Sequence, residues 1–406
     1  SLPGGGPVPP LLNTRLDRRY VIVASAFVIQ GVTIGCLFAY GVFFTVLQSE
    51  LGWSRALLSG CSSMALLTMG IVAMFGGRLA DLFGPRGVLT VAGICTGLGY
   101  AFMYYMTAEW QLFVLFGLLV GIGLSAHDVV TLSTIARWFK RRRGMMTGIV
   151  KVGTACGQVA MPLLATVLIA QFGWRTACAA LGCSAGVILL IAASGMRRPE
   201  SADGLPPGDH THEAGLSLTA AVGTPVLWKL CAIQFAFLTS LTTIPLHIVA
   251  HGMDLGMAQV NAAAVLSAIG GVSIVGRLVI GSVVDRIGGR RALLFSLVPL
   301  LLSLIWVRFI DEPWLLFMFA ALYGFAHGGL FTVVSPIVAE FFGMSSHGAI
   351  FGVILFFGTL GGALGPLLAG WTFDAMGSYD MAFVGLAALV VCGFLLSLSL
   401  RPMARA

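Results

Sequence analysis

Gly77-Arg78-Leu79-Ala80-Asp81-Leu82-Phe83-Gly84-Pro85-Arg86 returns 204 residues later as Gly281-Ser282-Val283-Val284-Asp285-Arg286-Ile287-Gly288-Gly289-Arg290-Arg291. Each copy closes one long apolar stretch and opens the next. The same offset carries Gly144, Gly148, Gly157 and Pro162 onto Gly348, Gly352, Gly361 and Pro366. Two parallel apolar halves of about 200 residues are the mark of a membrane transporter whose halves enclose a ligand path.

Composition points the same way. The chain is 58% hydrophobic and 10% charged, where soluble domains carry about 25% charge. A spanning helix needs about 20 apolar residues. Twelve such stretches fit between the charge clusters, near 19–47, 55–82, 88–107, 111–138, 144–171, 175–196, 223–250, 258–284, 291–309, 313–341, 347–374 and 379–401. The expected fold is all-α and integral to the membrane, with twelve transmembrane helices in two pseudo-symmetric six-helix halves. Its parts are an N-terminal tail (1–18), the N-terminal half (19–196), a linker (197–222), the C-terminal half (223–401) and a C-terminal tail (402–406). The first apolar run is too long for a cleavable signal peptide.

Of the 23 Lys and Arg residues, Arg55, Arg175 and Arg308 fall in loops on one face, while Lys151 and Arg277 lie inside spans. All the others gather on the opposite face with both termini, which the positive-inside rule makes cytoplasmic. The net charge of +7 therefore reflects topology. Its cations are spread over separate loops, so no nucleic-acid partner is expected, and Lys140-Arg141-Arg142-Arg143 reads as a cytoplasmic anchor. The eight Cys residues sit in apolar spans without metal-ligand spacing, as small hydrophobes; no disulfide and no metal are expected. His210, His212 and Glu213 in the linker have no second ligand cluster. No nucleophile–base pair, nucleotide loop or metal motif suggests an enzyme or a cofactor.

A charge within a bilayer persists where it meets a partner or a cavity. Arg277 lies eight residues, about 12 Å of helical rise, from the boundary residue Asp285, and its own helix offers no acid: Ser273 holds the preceding turn. Its fork matches a carboxylate. Lys151 and Asp128 lie at similar depths on adjacent spans and read as a pair bracing the N-terminal half. Within the repeated loop, Gly77 and Gly281 allow close helix contact. Asp81 and Asp285, with Arg86, Arg286 and Arg290, can bind helix ends and loop cations in one conformation only, as a state-dependent latch.

That loop, G-x-x-x-D-R-x-G-x-R in its second copy, resembles the signature of the major facilitator superfamily. More narrowly, Phe139-Lys140-Arg141-Arg142-Arg143-Gly144 followed by Gly148, Arg277 with Gly281, and Phe38-Ala39-Tyr40 resemble segments of the proton-linked monocarboxylate transporters. The resemblance implies symport of lactate, pyruvate or similar acids with a proton by alternating access, through a monomer. Two departures stand out. Animal members carry an Asp where this chain has Ser273 and a Lys where it has Tyr40, which suggests a bacterial branch and a bacterial inner membrane.

One cavity Arg suits one carboxylate, and the related oxalate exchangers' second cation is missing from span 11, which has Phe356 and Phe357. Tyr40, Ser273, Tyr323, Phe331, Phe356 and Phe357 come from helices expected to line the cavity with Arg277. Arg277 cannot carry the proton, so Asp254 and His247 at the outer end of span 7, and Asp128, are the candidates, with His127 and His327 more suited to packing. The expected partners are a small monocarboxylate, a proton and the bilayer. The alternative is a carboxylate anion exchanger without net proton coupling, which needs no titratable group.

Overall fold

A backbone crossing hydrocarbon must satisfy its own polar groups, and a helix does so without help. The computed structural model, which describes residues 14–199 and 215–400, is accordingly almost wholly helical. The spanning helices are α1 (Thr14–Leu51), α2 (Arg55–Phe83), α3 (Pro85–Phe102), α4 (Glu109–Trp138), α5 (143–172), α6 (174–195), α7 (Pro225–Asp254), α8 (Gln259–Ile287), α9 (Gly289–Trp306), α10 (Leu315–Phe342), α11 (His347–Met376) and α12 (Asp380–Leu398). Hydrogen bonding runs on from α5 to α6, so that eleven continuous helices are long and apolar enough to cross a membrane. Gly173 divides the longest, Arg143–Gly195, with φ 76° and ψ 162°.

That glycine extends the internal repeat. Positive φ is cheap only for glycine, and Gly52 (φ 68°), Gly84 (φ 88°) and Gly173 (φ 76°) are matched 204 residues on by Gly256 (φ 88°), Gly288 (φ 84°) and Gly377 (φ 71°). The turns α1–α2, α2–α3 and α5–α6 thus recur as α7–α8, α8–α9 and α11–α12. The α10–α11 turn breaks the pattern. Gly343 there has φ 78°, whereas the equivalent residue of the α4–α5 turn, Phe139, is extended.

The repeated helix glycines do two jobs. Gly157 of α5 packs on Gly31 of α1, and Gly361 of α11 packs on Phe235 and Thr239 of α7, each within its own half. Nearer the face that carries both ends of the described chain, Gly144 and Gly148 of α5 meet Gly281 and Arg277 of α8. There, too, Gly348 and Gly352 of α11 meet Gly77 and Ala73 of α2. Small residues permit this backbone approach, and α2–α11 and α5–α8 become the main seams between the halves. The molecule is shut at that face.

His210, His212 and Glu213 lie outside the described residues. Both described ends of the linker are bonded down. Trp138 Nε1 donates to the Arg197 carbonyl at 2.6 Å, and Arg198 donates to the Ala80 and Asp81 carbonyls. On the other side, Leu216 N–H donates to the Phe342 carbonyl at 2.8 Å before a short helix, Leu218–Val222.

Candidate functional site

Arg277 stands ten residues from the inner end of α8, about 15 Å along a helix and half the depth of a roughly 30 Å hydrocarbon layer. It is 1% exposed, the largest fully buried side chain described. Its Nη1 crosses between the halves to donate to the backbone carbonyl of Lys151 on α5 at 2.8 Å. Its Nε is buried without a partner. Gly148 makes the crossing possible, because a Cβ there would collide with the Arg277 carbonyl.

Lys151 joins Arg277 in this layer. Its Nζ lies 2.5 Å from Asp128 Oδ1 on α4, so the structure brings this pair together. Gln30 of α1 completes the arrangement: its Nε2 donates to Asp128 Oδ1 at 2.8 Å, to Thr131 Oγ1 at 3.0 Å and to the His127 carbonyl at 3.1 Å. Thr154 of α5 donates in turn to Gln30 Oε1 at 2.9 Å. His127 Nε2 is 3.6 Å from Asp128 Oδ2. Phe331 of α10 ties the halves together, its ring centroid 5.4 Å from Lys151 Nζ and 6.0 Å from Arg277 Cζ. His327, one turn outward, has its ring 5.0 Å from that of Phe331 and a buried, unpartnered Nδ1. Two cations against one acid leave a net charge of +1 on these buried side chains, Arg277, Lys151 and Asp128.

Other residues named from sequence fall elsewhere. Tyr40 is stacked on Phe116 at 3.9 Å and donates to the Leu58 carbonyl at 2.8 Å, in the outer core of the N-terminal half. Ser273 donates to its own helix, at the Gly270 carbonyl (2.7 Å). Tyr323 donates to the Ser240 carbonyl at 3.0 Å and reaches the site only through His327, at 5.9 Å. Phe356 lies against Gly70 in the α2–α11 seam, and Phe357 meets Trp228. His247 is bonded to Tyr379 Oη (3.2 Å) and the Pro366 carbonyl (3.1 Å) in an outer cluster of α7, α11 and α12, and Asp254 is exposed. Neither meets Arg277. Lys151, read from sequence only as the partner of Asp128, shares this layer with Arg277.

The two loop copies form matching caps. Asp285 accepts from the N–H groups of Gly144 (2.7 Å) and Met145 (2.9 Å), the first turn of α5. Asp81 accepts from Ala349 N–H in the first turn of α11 (3.2 Å) and from Arg137 Nη2 (2.9 Å). Carboxylates complement the unpaired N–H groups and positive dipole of a helix start; here each comes from the opposite half. Arg86 and Arg286 are exposed and take no part. Arg290 instead donates to the Ser397 and Leu398 carbonyls at the end of α12 (3.3 and 2.6 Å). Sequence reading passed over Arg137 and Arg198, which do contact Asp81.

Comparison with known proteins agrees with this architecture. The chain is 28% identical over 376 residues to monocarboxylate transporter 13 of Bos taurus, covering 92% of this chain and 87% of the relative. It is 26% identical over 388 residues to human monocarboxylate transporter 11, covering 92% and 81%. Among solved structures it matches the proton:xylose symporter XylE bound to 6-bromo-6-deoxy-D-glucose, with TM-score 0.72 and 14% identity over 95% of this chain and 96% of that one. The sequence pattern of the Major Facilitator Superfamily matches residues 26–305 and 254–405. With its helical fold and its two seams, the chain belongs to the major facilitator superfamily: it is a multi-pass membrane transporter and not an enzyme.

Proposed function

We propose that this transporter carries a small monocarboxylate, such as L-lactate or pyruvate, together with a proton by alternating access, with both termini cytoplasmic. One observation carries the reading. Arg277 is buried at mid-depth on the seam between the halves and makes a single hydrogen bond among the described residues, to a neutral carbonyl. A guanidinium has five donors, and a carboxylate is the partner that fits its fork. The names of the relatives support the substrate class. The small surplus of positive charge supports one carboxylate, and the apolar rings of Phe331 and its neighbours suit a short alkyl group.

The proposed cycle uses elements already described. From the outward-facing side the acid reaches Arg277, whose charge is costly to bury unpaired. Closure over the paired site then separates the α2–α11 and α5–α8 seams and releases the Asp81 and Asp285 caps. The test is uptake of labelled L-lactate into proteoliposomes with neutral or acidic exterior. Acid-stimulated uptake by the native chain that vanishes in Arg277→Gln is the expected result. Uptake indifferent to pH and accelerated by internal lactate would replace the reading by an anion exchanger. No lactate uptake under any condition would remove the substrate assignment.

A further inference from the structure

Lys151 stands beside an anion site with its charge already spent on Asp128. Its Nζ–Oδ1 distance is 2.5 Å, and the two residues are 3% and 7% exposed. Asp128 thus occupies, from within the protein, the role a substrate carboxylate would fill. Lys151 and Arg277 flank one ring, Phe331, at 5.4 and 6.0 Å, and the Arg277 fork is bonded to the carbonyl of Lys151 itself. The ammonium and the guanidinium thus share one aromatic wall, against which a small acid held on Arg277 would lie.

We infer that Lys151 is a second ligand for the substrate carboxylate, held in reserve by Asp128, and that Asp128 takes up the coupled proton when Lys151 turns to the substrate. The inference rests on the proposal that the Arg277 site binds a monocarboxylate. A proton from the outer solution adds to an Asp128 carboxylate oxygen, the Lys151–Asp128 ion pair breaks, and Lys151 pairs with the incoming carboxylate. On the inner side the acid leaves, Lys151 returns and the proton departs.

Charge arithmetic makes the two events depend on each other. Empty, the layer holds Arg277 and Lys151 against ionised Asp128, a net charge of +1. With both proton and carboxylate bound the net charge is again +1. The proton alone gives +2, two cations buried together without a counterion, whereas the anion alone gives 0. Adding the proton to the empty layer therefore raises its charge from +1 to +2, but with the anion bound only from 0 to +1; the second is cheaper in a low-dielectric layer, so the two ligands bind cooperatively.

Among the described residues, the groups facing Asp128 are Lys151 from α5, His127 on its own helix, Gln30 from α1 and, at longer range, Arg277 from α8. α2, α3, α10 and α11 bring no charged side chain into ion-pair distance of it. Gln30 Nε2 shares the oxygen that Lys151 binds, and Thr131 and the His127 carbonyl stand ready as its other acceptors. Asp128 therefore keeps a hydrogen-bond partner while the lysine is away. His127 donates from Nδ1 to the Leu124 carbonyl at 2.6 Å, which leaves its Nε2, 3.6 Å from Asp128 Oδ2, as the rival proton acceptor; proton uptake retained in Asp128→Asn would assign the proton to it.

The direct test is made on the native protein. L-lactate is mixed with the purified transporter in weakly buffered detergent solution, and proton uptake is recorded with lactate binding. About one proton taken up per lactate bound is expected, and binding without proton uptake overturns the inference. Asp128→Asn should bind lactate without proton uptake or pH dependence and lose accumulation driven by a pH gradient. Lys151→Met should weaken binding by about tenfold or more, the worth of one charge-assisted hydrogen bond. If the Asp128→Asn/Lys151→Met double variant regains native affinity and proton-driven uptake, the pair is only a brace and the inference fails. Loss of binding in Arg277→Gln, with proton uptake in Asp128→Asn still at the native level, would leave the Arg277 reading standing and sink this one. Native-level binding in Arg277→Gln would sink the underlying reading itself.

Discussion

Removing the two seam carboxylates should open the terminus-bearing face by a calculable amount. Asp285 accepts two N–H bonds at the start of α5, at 2.7 and 2.9 Å, and makes them only while the halves are together. Loss of a cap costs about 1 kcal/mol, and loss of the charge at the helix dipole about 0.5 kcal/mol more. Asp285→Ala should therefore raise the open population about tenfold. Asp81 is 8% exposed and joins an Arg137 ion pair at 2.9 Å to a helix-start bond at 3.2 Å. Its removal takes away one charge-assisted bond of Arg137 and one helix-start bond, and should cost about 2.5 kcal/mol, roughly 70-fold in population. The sites sit on separate seams, so their effects should add, reaching about three orders of magnitude in the double variant. A reporter is at hand in Ala73, which is fully buried and packed against Gly352 across the α2–α11 seam. The maleimide labelling rate of the cysteine introduced by Ala73→Cys, read on its own peptide by mass spectrometry, scales with the open population. Labelling rates that stay within twofold of each other in Asp285→Ala, Asp81→Ala and the double variant would refute the latch.

Three further outcomes follow from particular contacts. Gly144→Val should abolish transport at normal membrane levels, because a Cβ there falls 2.7 Å from Val284 Cβ and against the Gly281 carbonyl; uptake, with the Ala73→Cys labelling rate rising, checks it. Tyr40→Phe loses one hydrogen bond to the Leu58 carbonyl, about 1 kcal/mol, and should lower Tm by about 2 °C while leaving half-saturation for L-lactate unchanged. His247→Gln and Asp254→Asn should leave acid-stimulated uptake within twofold of native, since His247 spends its ring on Tyr379 and Pro366 and Asp254 is exposed.

Much of the architecture was legible because the bilayer makes hydropathy decisive. Twelve apolar stretches between charged loops can only be helices, and the repeated Gly84/Gly288 turn marks where two of them end. The boundary expected between 171 and 175 falls on Gly173, although hydrogen bonding carries the helix on through it. The depth of a charge was also readable, since rise per residue fixes it, and so Arg277, Asp128 and Lys151 stood out together. Which side chains meet was less accessible. Gln30 escaped notice because a census of ionisable groups passes over an amide, although a Gln in the middle of the apolar run of α1 is itself a signal. The bond from Arg277 to the Lys151 carbonyl involves a backbone group that every residue possesses, so no residue type announces it. Tyr40 was assigned to the cavity through resemblance, and its hydroxyl instead serves the packing of α1 on α2. The latch arginines illustrate the same limit: sequence adjacency pointed to Arg86 and Arg286, whereas Arg137 reaches Asp81 from α4 and Arg198 reaches its backbone carbonyl from the start of the linker.

The most direct measurement is the L-lactate gradient that proteoliposomes reach at equilibrium, determined as the imposed pH gradient is varied. With one proton carried per monocarboxylate, internal over external lactate should change about tenfold per pH unit and should not form with Arg277→Gln. A gradient that stays near unity at every pH difference, while labelled lactate still exchanges with unlabelled lactate inside, would contradict proton-coupled monocarboxylate transport.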